Sequence, residues 1–416
     1  MPTQSSPSIR SLAILLAMLV AVAPLAIDMY LPAMKVMATD LSTAIHYVEV
    51  SISTFLLGFA LGQLLGGPLS DKFGRKPLIA LGLTLFSITS LMLTQTESIE
   101  QLLALRALQA IGGGIATVNS SAIIRDLFSG DEMAKVLSMV AIVMMSAPLI
   151  APLLGSLILS YFSWQTIFLI LAAYSASVMA LLLWRLPETH KKQNSNANTQ
   201  PRAKPWQSYK RVLTHPQAMG FVMAISLSFS GMFVFITASA FAYMEYFSVS
   251  AQLFPFIFGG NVLLMMLMNR VNLWALNHYS STSILTLGLS LQILCGIGLI
   301  IASYFDPQLY VIVALVMVFV GSIGLVAANA TAGALNFFPD ISGTATAVIG
   351  VTEFTLGALM GILWSLLHEF QFSLTQQHSL GPMSWVMTAC VVIGLLGFTV
   401  LSRKSLSTKT AIEIPS

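Results

Sequence analysis

Apolar runs of eighteen or more residues recur along this chain, separated by short polar stretches. At 1.5 Å per residue, each run is long enough to cross a hydrocarbon core of ~30 Å as a helix. A helix satisfies its own backbone hydrogen bonds, which lipid requires. The pattern predicts twelve spans, near 11–33, 47–69, 77–95, 99–122, 135–160, 164–186, 217–241, 251–269, 281–303, 309–331, 342–367 and 382–402. Between the sixth and seventh lies ETHKKQNSNANTQPRAKPWQSYKRVLTH, polar and rich in Pro, Asn and Gln, which reads as a linker. The chain thus divides into a six-helix bundle (1–188), a linker (189–214) and a second six-helix bundle with a short tail (215–416). Six plus six around a long central loop is the organisation of a duplicated secondary transporter.

Charge fixes the expected topology. With the amino terminus in the cytoplasm, 17 of the 19 Lys and Arg fall on the cytoplasmic side, as the positive-inside rule asks. The exceptions are Lys35, at the outer end of the first span, and Arg106, inside the fourth. Twelve spans therefore put both termini in the cytoplasm. The first apolar run is too long for a signal-peptide core and is read as a retained span.

Composition agrees: 56% of residues are hydrophobic and 8% charged, with a mean hydropathy of +0.84, against about 25% charged in soluble domains. Cys295 and Cys390 sit in apolar runs and read as small buried side chains. No G-x-x-x-x-G-K-[ST] loop occurs, and His368-Glu369 lacks the second histidine of a zinc-protease motif. No metal site, enzymatic site or nucleic-acid tract is expected.

The sharpest local signal is GGPLSDKFGRKPLI, Gly66 to Ile79. Gly66 and Gly67 allow close helix approach. Pro68 and Gly74 punctuate the backbone, and Asp71 and Arg75 are one helical turn apart. A plain basic anchor would account for Lys72, Arg75 and Lys76, but not for the glycines or Asp71. The stretch resembles the signature loop of the major facilitator superfamily. RALQAIGGG (Arg106–Gly114) is similar to that superfamily's span-four motif, and APLIAPLLGSLI (Ala147–Ile158), with Pro148, Pro152 and Gly155, to its span-five antiporter motif. With IDMYLPAM and IIRDLF, these features resemble the Bcr/CflA drug-resistance exporters. A proline is common there where Lys35 stands, and glutamine near Glu353; these departures bear on substrate range and proton stoichiometry.

The resemblance implies an all-α membrane protein of twelve helices in two halves that rock about a central cavity. It implies proton-coupled export of small, largely apolar drug-like compounds across the bacterial inner membrane, by a monomer driven by the proton gradient without a cofactor. It also implies a cytoplasmic latch in which Asp71 reaches towards Ser342–Gly343 and Arg75 towards Asp126. The alternatives are a proton-coupled carrier of a defined metabolite and a non-transporting membrane receptor.

Asp28, Arg106 and Glu353 are the charges singled out well inside their spans. An acid inside hydrocarbon costs roughly 2.5–3.5 kcal/mol. Asp28 lies about eight residues, ~12 Å, below the outer end of the first span, and Arg106 about seven, ~10 Å, below that of the fourth. Either they form a static pair, or Asp28 takes and releases a proton with Arg106 favouring its charged form. Glu353 is either a permanently protonated acid in a helix interface or a second proton site. Glu245 reads as interfacial. Candidates for the cavity wall are Tyr30, Gln109, Asn119, Met144, Met145, Phe229, Phe233 and Phe235.

Overall fold

The computed structural model describes residues 9–186, 205–305 and 308–410. Among the described residues, twelve helices are long and apolar enough to cross a membrane: Ser11–Asp40, Ile45–Ser70, Arg75–Leu93, Ile99–Ile124, Lys135–Tyr161, Gln165–Arg185, Pro216–Tyr246, Phe254–Ala275, Ser281–Tyr304, Leu309–Leu335, Ser342–Thr375 and Gly381–Leu401. These are spans one to twelve below. They fall into two compact units, one of Met1–Thr199 with Ala251–Pro255, the other of Gln200–Ser250 with Phe256–Ser416. Each unit carries six spans.

The first unit is built on small residues. Gly58, Gly62 and Gly66 recur every fourth residue, so they share one face of span two. A Cβ on Gly58 would run into the carbonyl of Ala107, one on Gly62 into that of Ile111, and one on Gly66 would lie 2.8 Å from Val118 and 3.0 Å from Ile115. Span four answers with Gly114, set against the carbonyl of Phe59, and with Gly112, set against Gly82 of span three. Apolar burial drives little association between helices already in lipid, so close backbone approach supplies the attraction. The glycines at 112 and 114 are thus packing residues. Gly67 is different: no atom lies within 4 Å of where its Cβ would stand, so it contributes no close approach.

Four elements depart from the hydropathy pattern. Span one runs on to Asp40 rather than ending near 33, because Met34–Asp40 resumes the helix after a break. Span seven ends in a π-helical turn, Phe241–Tyr246, and span ten is interrupted at Ser322. The linker expected over 189–214 contains a helix, Pro205–Leu213. It buries Val212 with Ala218, Phe338, Ala345 and Val348, and packs Tyr209 beside them. Arg211 Nη1 donates to Asp340 Oδ2 at 2.5 Å. A nine-residue segment is too short to hold as a helix alone, and this docking supplies what it lacks.

Two tests follow from this packing. Gly62→Ala is expected to destabilise the protein by about 1–3 kcal/mol through backbone overlap, whereas Gly67→Ala is neutral or stabilising by up to about 1 kcal/mol; thermal melting of the purified chain separates them. The hydrogen bond from Arg211 holds the Asp340 carboxyl below the usual carboxylate range. Its contribution is therefore present above the ordinary carboxylate value of about 3.9 and lost as pH falls through the lowered one. Hydrogen-exchange protection of Pro205–Leu213, corrected for intrinsic rate, is expected to fall in that acid window in wild type and to show no such step in Asp340→Asn.

Candidate functional site

Span one breaks where its acid stands. The helix Ile9–Asp28 tolerates Pro24 in its interior, and Met29 N donates to Leu25 O at 3.1 Å in the last α-type turn. Four residues beyond Asp28 is Pro32, which has no N–H, so the Asp28 carbonyl lacks its helical donor. A single 3₁₀ turn over Leu31–Ala33 follows, with Ala33 N on Tyr30 O at 2.9 Å. Gly155 of span five faces the Met29 carbonyl, where any Cβ would collide with it. The span-five motif therefore closes on the break itself. Pro148 and Pro152 lie inside the unbroken helix Gly130–Tyr161.

Arg106 is fully buried and answers to this break. Its Nη2 donates to Ala26 O at 2.9 Å, and its Nη1 to Gln109 Oε1 at 2.6 Å. Gln109 Nε2 passes the chain to Ser90 Oγ at 2.7 Å, and Ser90 to Phe86 O at 2.6 Å. The guanidinium lies 4.4 Å from the ring centroids of both Tyr30 and Phe55. Tyr30 is fixed in turn by a 2.8 Å hydrogen bond with Ser51 and by Phe168.

Asp28 is 3% exposed, yet its Oδ1 has no hydrogen-bond partner. No hydrogen bond or ion pair joins it to Arg106, against the pairing expected from depth. Span one runs on to Asp40, so Asp28 lies twelve residues, ~18 Å, from its outer end. Arg106 takes a backbone carbonyl two residues away instead. Tyr30 and Gln109, expected on the cavity wall, are its supports and are wholly buried.

Of the other candidates in this unit, Asn119 is buried with Nδ2 on Ile115 O at 2.8 Å and Oδ1 unpartnered. Met144 is exposed and Met145 half-buried on span five. In the signature loop Gly74 adopts φ +99°, a conformation that favours glycine, and separates spans two and three. Arg75 Nε meets Asp126 Oδ2 at 3.5 Å, as the resemblance implied, and Arg75 also donates to Ser70 Oγ. Ser70 Oγ donates to the Gly67 carbonyl at 2.9 Å, and Lys76 is half-buried. The Asp71 side chain lies outside the described residues.

In the second unit, Phe233 joins Phe229 (6.4 Å between centroids) and Phe354 (5.7 Å), and packs against Gly357. Glu353, half-buried beside Phe354, has no hydrogen-bond or ion-pair partner among the described residues. Phe235 turns away to Phe258 and Tyr243, inside the unit's own core. Sequence reasoning passed over Glu49, fully buried in the second turn of span two. The signal that marked Asp28, an acid within an apolar run, marks it too.

Against known proteins, the Major Facilitator Superfamily profile matches residues 16–362. The chain belongs to the major facilitator superfamily. It is 33% identical to a bicyclomycin resistance protein homolog of Haemophilus influenzae, over 93% of this chain and 94% of that one. It is 30% identical to a chloramphenicol resistance protein of Pseudomonas aeruginosa, over 95% and 91%. Among solved structures, an inward-facing bacterial homolog of the human lysosomal transporter Spinster superposes with a TM-score of 0.73 at 15% identity, covering 97% and 98% of the two chains. This major facilitator protein is a multi-pass bacterial membrane protein of transporter type.

One test isolates the Arg106 site. Arg106→Lys cannot make both forked bonds and leaves Gln109 or Ala26 unanswered. A loss of about 1.5–3 kcal/mol is expected in thermal or denaturant unfolding, while Gln109→Ala, which leaves the charge on Ala26, costs less.

Proposed function

We propose that this protein exports small, largely apolar drug-like compounds from the cytoplasm in exchange for protons, by alternating access. The observation that carries this reading is Asp28: a carboxylate inside a span, almost fully enclosed, with one oxygen unpartnered. Breaking a buried ion pair leaves an uncompensated charge; here the acid has no ion-pair partner to fix its state, so a proton can neutralise it. Arg106 stays charged throughout, and a cationic or polarised substrate group competes with the proton for Asp28. The Phe229–Phe233–Phe354 cluster beside Glu353 offers apolar, adaptable contact for substrate. The resistance phenotypes in the relatives' names support the same class of cargo.

In this reading the protein acts as a monomer in the bacterial inner membrane, with both termini in the cytoplasm. It needs no cofactor beyond the proton gradient. Outside protons neutralise Asp28 and release substrate outward; proton release to the cytoplasm resets the carrier. Glu353 is a second candidate acid, tested alongside.

Overexpression in an efflux-deficient host is expected to raise inhibitory concentrations for some lipophilic drugs in a panel that includes chloramphenicol and bicyclomycin. In inverted vesicles, substrate should collapse a preset pH gradient with wild type and not with Asp28→Asn. Equal responses from both remove Asp28 from the proton path, and a normal response from Glu353→Gln leaves that residue to packing.

A further inference from the structure

The second unit carries a cluster of titratable groups that the export cycle above does not use. It lies at the end of span seven remote from the Pro205–Leu213 helix. His378, in the turn after span eleven, has its Nε2 3.7 Å from Glu245 Oε1, in the π-helical turn of span seven. Its ring is held on two sides: Phe372 stacks at 4.6 Å and 19°, and His368 at 5.7 Å and 9°. His368 is buried on span eleven, between Trp364 (5.7 Å) and Phe241 (4.3 Å). Phe241 also reaches His378 at 5.6 Å. The other titratable groups on these elements are Tyr243 and Tyr246 in the π turn, the exposed Glu369 after His368, and Glu353, which lies several turns back along span eleven from His368.

We propose that His378, His368 and Glu245 form a proton-operated latch that ties the end of span seven to the end of span eleven. Histidine is the side chain that ordinarily changes charge between about pH 5 and 8. A proton on His378 turns a polar contact with Glu245 into an ion pair and strengthens the ring's contacts with Phe372 and Phe241. His368, buried and stacked on the same ring, holds His378 in place. The latch grips a turn whose backbone is already irregular: Phe247 N reaches back five residues to Ala242 O at 3.3 Å, and Ser248 has φ +54°. π turns often mark working positions in helices. Span seven also carries Phe229 and Phe233, so tightening its end bears on the face proposed to meet substrate. The placement of this end outside the cell, where it would sense the driving proton, rests on the topology proposed above; the latch itself does not.

The test uses the full chain in lipid nanodiscs, melted at about pH 6 and about pH 8. Wild type should melt about 1–3 °C higher at the lower pH, as a partly exposed pair allows. His378→Gln and Glu245→Gln should each abolish that difference. His378→Lys, charged at both values, should melt alike at both, near the wild-type value at the lower pH. Retention of the full pH difference by His378→Gln, or its absence from wild type, overturns the latch. Melting involves no substrate and no gradient, so a failed export assay leaves this result unmoved, and the reverse also holds.

Discussion

A guanidinium buried among membrane helices must have its donors answered and its charge faced by the chain itself, because lipid offers nothing. Arg106 imposes that condition on the first unit, which meets it at two of the three guanidinium nitrogens and leaves Nε without a hydrogen-bond partner. Its two forked nitrogens take the Ala26 carbonyl and the Gln109 amide, and its faces take Tyr30 and Phe55. Each support has a cause elsewhere. Phe55 and Ser51 are within reach because Gly58, Gly62 and Gly66 let span two lie against span four. Tyr30 lies across the guanidinium because span one breaks between Asp28 and Leu31. Span five can close over the break because residue 155 is glycine.

The contrast with Asp28 follows from the same geometry. The acid's neighbours are engaged elsewhere: Arg106 is turned to a carbonyl, and Tyr30 and Gln109 are turned to Arg106, Ser51 and Ser90. One half of the molecule therefore holds a charge that cannot change beside an acid that no partner fixes. Such an arrangement suits proton exchange better than a tight pair, in which removing either charge would strand the other.

The second unit spends its irregularities differently. The helix Pro205–Leu213 gains its structure by docking Val212 and Tyr209 near Phe338 and by the Arg211–Asp340 bond. Span seven ends in a π turn under an aromatic cluster that contains two imidazoles. Span ten is interrupted at Ser322, beside Gly324, which a Cβ would drive to 2.6 Å from the backbone of Met265 and Asn269 in span eight. Aromatic faces and backbone contacts replace the buried arginine of the first unit.

The sequence alone determined the twelve spans, their grouping by sixes and the turn at Gly74, and its motifs carried the resemblance that implied the family and the reach of Arg75 towards Asp126. Hydropathy over twenty residues and a glycine at positive φ are local properties, and a signature loop is contiguous, so each survives in one dimension. The way side chains point is not local. Tyr30, Gln109 and Phe235 read as cavity-facing from their spans, yet helix rotation and close approach turn the first two onto Arg106 and the third into the core. The helix at Pro205–Leu213 was hidden in a polar stretch because its stability comes from Phe338 and Asp340, more than a hundred residues on. Asp28 was visible as an acid in an apolar run; that Arg106 turns to the Ala26 carbonyl and not to the acid was decided by how spans one and four pack, which only the tertiary structure reveals.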